Sequence, residues 1–264
     1  ARRDNLTTPT RYEAAEGRSI LHIRKRTQVL TWVCEQYSDV PYPAVDGEGM
    51  GQSLLIRNAE MVFDGKVALG DLRSTAGVIE AIAPGGGLTP REGEVVIDGE
   101  GLHLLPGAID PQVHFREPGQ PEKEDIGSGS MAAAAGGVTA FLDMPNNVPS
   151  ATSMEAMRAK LGSAAVNAVT HHGFFIGATP DNLGELQAAV GTPDKPSPME
   201  GICGIKVFMG SSTGDLLVDE QSALERIFSQ TAGVIAVHAE DEGRLNERRP
   251  DFEERTDVAA HAEW

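Results

Sequence analysis

The chain has 264 residues, 40% of them apolar and 23% charged, which excludes a disordered polypeptide and gives enough material for a sizeable core. Acidic side chains outnumber basic ones 39 to 22, and a net charge of −17 argues against nucleic acid or an anionic membrane as partner. Two cysteines, Cys34 and Cys203, cannot build a disulfide framework, no apolar run is long enough to span a bilayer, and no secretory signal is visible, so a cytoplasmic protein is expected.

Residues 1–49 differ from the rest. They hold all three tyrosines (Tyr12, Tyr37, Tyr42) and none of the phenylalanines or methionines. Their charges balance, seven basic against seven acidic, so the whole negative charge belongs to residues 50–264. Met50 then opens MGQSLLIRNAEMVF, which reads as a protein start running into a strand. Residues 1–49 are therefore an unassigned extension: upstream sequence such as a linker or over-extended reading frame, or a genuine N-terminal arm. Within it, 18–34 has a poor amphipathic pattern.

Residues 50–105 carry short strand-like runs, SLLIRNAEMV, GVIEAIA and EVVIDGEGLHLL, separated by aspartates and glycines. A small β-sheet module is expected there. From residue 106 the pattern changes. Apolar strand-like runs centre on Ile109, Phe141, Phe174, Ile205 and Ala236, spaced 31–33 residues apart, with helical stretches at 125–136, 154–167, 182–190 and 219–231 between them. Strands alternating with helices at this period predict an α/β fold of parallel βα units. The repeat length fits a (β/α)8 TIM-type barrel of which about five of eight units lie in 106–264. A doubly wound open sheet is the competitor, but the glycine fingerprint after its first strand is missing.

Side chains alternate across a strand. In PGAIDPQVHFREPG, Ile109, Pro111, Val113 and Phe115 make an apolar face toward the helices. Asp110, Gln112, His114 and Arg116 fill the inward face, a costly row unless something pairs with it. In GICGIKVFMG, Lys206 points inward beside Phe208; in GVIAVHAED, His238 and Glu240 do so. A structural salt bridge is the plain alternative for Lys206. The sharper one is a carboxylated lysine, whose carbamate bridges two cations. Imidazoles with oxygen anions suit zinc. The second strand ends in Pro145-Asn146-Asn147, at the end where barrels keep their chemistry. The small-residue loop MGSSTGD is either a ligand approach or a plain connection. His22, His103, His171, His172 and His261 read as structural or solvated.

Four stretches together, PGAIDPQVHFREPG, KEDIGSGSMAAAAGGVTAFLDMPN, GIKVFMGSSTG and VHAED, resemble the amidohydrolase superfamily and, within it, dihydroorotases. The resemblance covers 51–264. It implies zinc, one or two ions, with His114 and His238 as ligands and Lys206 as the carboxylated bridge. It implies that Arg116 and Asn146 hold a substrate carboxylate, a task that suits the guanidinium fork. The implied reaction is the reversible interconversion of L-dihydroorotate and N-carbamoyl-L-aspartate in pyrimidine biosynthesis. Allantoinases and hydantoinases usually lack arginine after the metal motif, so FREPG favours dihydroorotase among the cyclic-amide hydrolases. A homo-oligomer is a further implication.

Two departures stand out. The family's first metal motif is usually His-x-His, whereas Gln112-Val113-His114 stands here, and an amide is a weak zinc ligand. Asp110 lies on the same face but roughly 6–7 Å deeper at about 3.3 Å per residue, so it does not simply replace the imidazole. The metal number is thus open. The chain also stops before strands six to eight, where another zinc histidine and the catalytic aspartate are expected, so residues 106–264 alone are not expected to be active. Three readings follow: a piece of an active dihydroorotase, a non-catalytic dihydroorotase-like scaffold of aspartate transcarbamoylase, or another cyclic-amide hydrolase of the allantoinase or hydantoinase type.

Overall fold

The computed structural model describes residues 18–20, 32–34, 53–63, 65–210 and 216–263. Of the 1–49 extension, only two short strands fall among these: β1 (Arg18–Ile20) and β2 (Trp32–Cys34), paired antiparallel with Arg18 opposite Cys34. Met50 and the core of the small-residue loop, 211–215, lie outside the described residues. The chain divides into two compact units, residues 1–109 with 131–140 and residues 110–130 with 141–264.

The first unit is built on a sheet of β3 (Ser53–Phe63), β4 (Lys66–Thr75), β5 (Val78–Pro84), β6 (Val95–Asp98) and β7 (His103–Leu104). The strand order is β5-β4-β3-β6, with β7 also paired to β3. A bulge between Ile56 and Ala59, with Asn58 at φ 58°, shifts the alternation by one residue. Leu54 and Ile56 before it, and Ala59 and Met61 after it, therefore bury on one face with Leu72 and Leu104.

Strand β4 was not expected from the sequence, because Gly70-Asp71 reads as a turn. The structure runs both residues through the strand. Gly70 is needed because a side chain there would lie 2.3 Å from the Met61 Cε and 2.7 Å from the Ala83 carbonyl. The fully buried Asp71 carboxylate accepts N–H groups from Asn58 and Leu88, each at 2.9 Å. Those backbone donors hold its carboxyl below the usual range against the opposing effect of burial, which is the larger single influence.

Beside it, Arg73 forks onto Glu94 (Nε–Oε1 2.6 Å, Nη2–Oε2 2.9 Å) and donates to the Thr89 carbonyl at 2.7 Å. The Ser53 hydroxyl also donates to Glu94.

The second unit carries most of the βα repeats. They are β8 (Ala108–Val113), α1 (Ile126–Ala135), β9 (Val138–Asp143), α2 (Met154–Asn167), β10 (His171–Gly177) and α3 (Leu183–Val190). A small hairpin, β11 (Gly191–Thr192) with β12 (Lys195–Pro196), precedes β13 (Ile202–Phe208), α4 (Gln221–Gln230) and β14 (Ile235–His238). Helices α5 (Glu242–Arg248) and α6 (Val258–Glu263) end the chain. The large sheet runs β8-β9-β10-β13-β14, in chain order, and β10, β13 and β14 pair in parallel. Consecutive parallel strands with intervening helices make this a partial (β/α)8 barrel, with the small β-sheet module ahead of it.

Phe115, Phe141, Phe174, Ile176, Ile205 and Val207 on the strand side pack with Ile126, Met157, Leu186 and Ile227 from the helices. The helix-facing assignment holds for Val113 and Phe115, but Ile109 is exposed, as is Pro111. Helix α2 starts at Ser153, whose hydroxyl accepts the Ala156 N–H at 3.2 Å. It buries Met154, Met157, Lys160 and Ala164 along one stripe. Among the described residues no helix is long and apolar enough to cross a membrane.

Arginine hydrogen bonds lower the Glu94 carboxyl from the usual 4.5 to about 2. Its folded-state value is depressed, so its contribution is complete above the unfolded value and is lost as pH falls through about 2. Replacing Arg73 with Met should destabilise the protein at neutral pH, because Glu94 then loses its guanidinium partner. Urea midpoints of both proteins between neutral pH and pH of about 2 check this, and the gap should narrow on acidification.

Candidate functional site

Asp110 and Gln112 lie within β8, Arg116 follows it, Lys206 lies within β13 and His238 ends β14. The β8–β9 ladder continues past Val113, whose carbonyl accepts the Met144 N–H at 3.0 Å. His114 therefore follows β8 where Asn146 follows β9, and the two side chains meet: His114 Nδ1 lies 2.7 Å from Asn146 Oδ1. An amide oxygen accepts, so in this pairing the ring donates through Nδ1. Arg116 is half-buried, and among the described residues its guanidinium has no carboxylate partner. Asp110 is half-buried and turns to its own strand, where Oδ1 accepts the Gln112 N–H at 3.0 Å. The Gln112 side chain is exposed.

A second group forms across β13 and β14. Their register places Lys206 opposite Ala236 and Phe208 opposite His238. Lys206 is 3% exposed, and its Nζ lies 5.0 Å from the centre of the Phe208 ring. The same ring lies 6.2 Å from the His238 ring. Burial alone pushes the Lys206 ammonium below its ordinary value, with no anion among the described residues to oppose it. His238 Nε2 is 3.3 Å from Glu240 Oε1, and both side chains are partly exposed. The structure thus joins His114 to Asn146 and Lys206 to Phe208 and His238, and leaves Gln112 and the Asp110 carboxylate out of both groups. Of the remaining histidines, His103 pairs with Glu60 at 2.8 Å on the surface, His171 is exposed, and His172 stacks near Phe141 and Phe174.

Zinc needs several donors converging on one point. Among the described residues no group of three His, Cys, Asp or Glu is placed to hold a metal ion. Two imidazoles and one amine are present, and among the described residues the amine has no counter-ion. These donors fit part of a zinc site, and not the whole of it.

Behind the two loops lies a buried polar cluster that the sequence reading missed. The Lys160 ammonium of α2 forms an ion pair with Asp143 Oδ2 at 2.7 Å and donates to the Met144 carbonyl at 2.9 Å and Asn147 Oδ1 at 2.5 Å. Asp143 Oδ1 accepts the Phe115 N–H at 3.0 Å. Burial pushes the Asp143 carboxyl up and the Lys160 ammonium down, each opposed by its partner. Two signals were available in the sequence. Lys160 falls on the stripe of Met157 and Ala164, and Asp143 shares the helix-facing side of β9 with Phe141.

Comparison with known proteins places this geometry. A family model described as dihydro-orotase-like matches residues 101–192. A dihydroorotase from Halobacterium salinarum is 36% identical over 196 residues, which is 73% of this chain and 42% of that protein. An allantoinase from Bacillus velezensis is 30% identical over 220 residues, 81% of this chain and 46% of that protein. The chain belongs to the cyclic amidohydrolases of the amidohydrolase superfamily. The structure of an L-hydantoinase (dihydropyrimidinase) from Arthrobacter aurescens matches with a TM-score of 0.69 at 24% identity, over 80% of this chain and 46% of that one, a likeness of fold. This amidohydrolase chain spans less than half the length of the curated relatives it matches.

Replacing Asn146 with Ala removes the acceptor that fixes the His114 tautomer. The Nδ1–H form should fall from dominant to a minority, read from ring-nitrogen NMR correlations at about pH 8. An unchanged tautomer would show that Asn146 does not set it.

Proposed function

We propose that this cyclic amidohydrolase chain is part of a dihydroorotase, which opens the ring amide of L-dihydroorotate to N-carbamoyl-L-aspartate and closes it in reverse. One observation carries the substrate choice. Arg116 is a half-buried guanidinium with no carboxylate partner among the described residues, in the loop that follows the first barrel strand. Dihydroorotate has a carboxylate to offer it; hydantoin and allantoin have none. The Arg116 fork pairs with that carboxylate through two parallel charge-assisted bonds and so orients the ring. The Asn146 amide nitrogen is left as a donor to the same carboxylate, because its oxygen is engaged by His114.

His114, through Nε2, His238 and a carboxylated Lys206 would hold zinc. That ion supplies a polarised carbonyl and a water of lowered pKa when bound. Lys206 is 3% exposed, and its amine lies 5.0 Å from the centre of the Phe208 ring. A second reading, hydrolysis of a carboxylate-free cyclic amide, draws on the allantoinase that matches 81% of this chain.

The intact protein should turn over dihydroorotate and contain zinc. Arg116→Ala should lower kcat/KM for dihydroorotate about 10–100-fold, since a hydrogen-bonded charge is worth about 1.5–3 kcal/mol. Unchanged turnover of dihydroorotate in the variant, or preferred turnover of allantoin or hydantoin by the unaltered protein, would move the assignment to the second reading. Protein free of zinc and inactive on all three would defeat both.

A further inference from the structure

Resting on the cyclic-amide hydrolase reading, we propose that Lys160, Asp143 and Asn147 form a positioning clamp that sets the two substrate-facing loops relative to each other. The clamp fixes Arg116 and Asn146 without touching either side chain.

The argument starts from where the two residues sit. Arg116 lies between Phe115 and Glu117, and both neighbours are tied down. Phe115 donates its N–H to Asp143 at 3.0 Å, and its carbonyl accepts from Asn147 Nδ2 at 3.0 Å. The Glu117 carbonyl accepts from the same Asn147 nitrogen at 2.8 Å. The Glu117 carboxylate accepts the Ser163 hydroxyl of α2 and, at 3.0 Å, the Ile126 N–H that starts α1. Arg116 itself donates its backbone N–H to the Glu124 carbonyl at 2.9 Å.

Asn146 lies in the second loop, and its surroundings are tied in the same way. The Met144 carbonyl is held by Lys160, the Pro145 carbonyl by the Ala151 N–H at 2.9 Å, and Asn147 by its own side chain. The loops also meet directly, with Val148 N–H donating to the Pro118 carbonyl at 3.2 Å. Only glycine fits at 119, where φ is 107° and a Cβ would lie 2.0 Å from the Val148 carbonyl oxygen.

Asn147 is the hinge between the charged half and the loops. Its oxygen takes one Lys160 proton and its nitrogen spends both protons on the Arg116 loop. Asp143 Oδ2 is met by the ion pair with Lys160 and by no hydrogen bond. Asp143 and Lys160 are 0% and 1% exposed, Asn147 is 5% exposed, and the Lys160 ammonium lies 5.0 Å from the centre of the Phe174 ring. A buried network of this kind favours one arrangement, because a displacement would strand further polar groups in a low-dielectric layer. Core packing alone needs no charge here. A hydrophobic residue at 160 would continue the Met157–Ala164 stripe.

The test combines site-resolved hydrogen exchange with steady-state kinetics on the intact protein. In Asn147→Ala, amides of residues 114–118 should exchange tenfold faster or more, while those of 174–177 and 202–207 stay as they were. KM for dihydroorotate should rise roughly tenfold with kcat within about twofold, the pattern of lost substrate orientation. Ser163→Ala, a milder change at a partly exposed position, should shift 114–118 in the same direction by less. It keeps the question open to refutation if the asparagine variant does not fold.

Exchange that rises uniformly, or that leaves 114–118 untouched in both variants, would overturn the clamp and leave a stability role only. If the unaltered protein does not use dihydroorotate, the functional reading fails on its own and the exchange result still decides whether the loops are clamped.

Discussion

A lysine ammonium buried between a strand and a helix has to satisfy three protons with no help from water. Lys160 sits in an ion pair with one carboxylate and donates to one backbone carbonyl and one amide oxygen, and those partners belong to the end of β9 and the loop beyond it. The desolvation penalty of such a charge is several kcal/mol. It is offset only while every partner stays in place, so the geometry of the loops becomes a condition of burying the helix. The same constraint reaches the β8 loop through Asp143 and Asn147. The candidate site is thus supported from the helix layer, behind the strands that display it.

Two kinds of buried charge occur in this chain, and they work differently. Arg73–Glu94 and the Asp71 carboxylate tie β-strands to neighbouring turns in the first unit, where the partners are abundant and the carboxyl groups are held low. Lys206 has only an aromatic ring beside it among the described residues, and burial pushes its ammonium down unopposed. A group left in that condition is costly to the fold, and such costs concentrate where chemistry is done. Lys160 meets a carboxylate and two further oxygens, whereas Lys206 has no acidic partner among the described residues.

Much of this was legible in the chain. The 31–33-residue spacing of apolar runs gave the parallel βα units, and the period-two alternation put Lys206 and His238 on the inward face. Strand β4 was missed because Gly70-Asp71 carries the local chemistry of a turn. The hydrogen bonds that let Asp71 run through a strand come from Asn58 and Leu88, 13 and 17 residues away. Lys160 was missed although it stands on an apolar stripe, since the stripe does not say which partner meets it. The motif resemblance named Asn146 a substrate group; the structure adds its bond to His114, a contact 32 residues apart in the chain.

By itself, then, the sequence determined the class of fold and the family, and it singled out the residues expected on the inward rows. These follow from periodicities and short motifs, which are local properties of the backbone. Only the tertiary structure decided which groups are paired. It showed that the Asp110 oxygen is spent on its own strand, that Lys206 is left without an acidic partner among the described residues, and that the site loops hang on Lys160. Pairing depends on distances of about 3 Å between segments far apart in the chain, and no pattern within one segment carries that information.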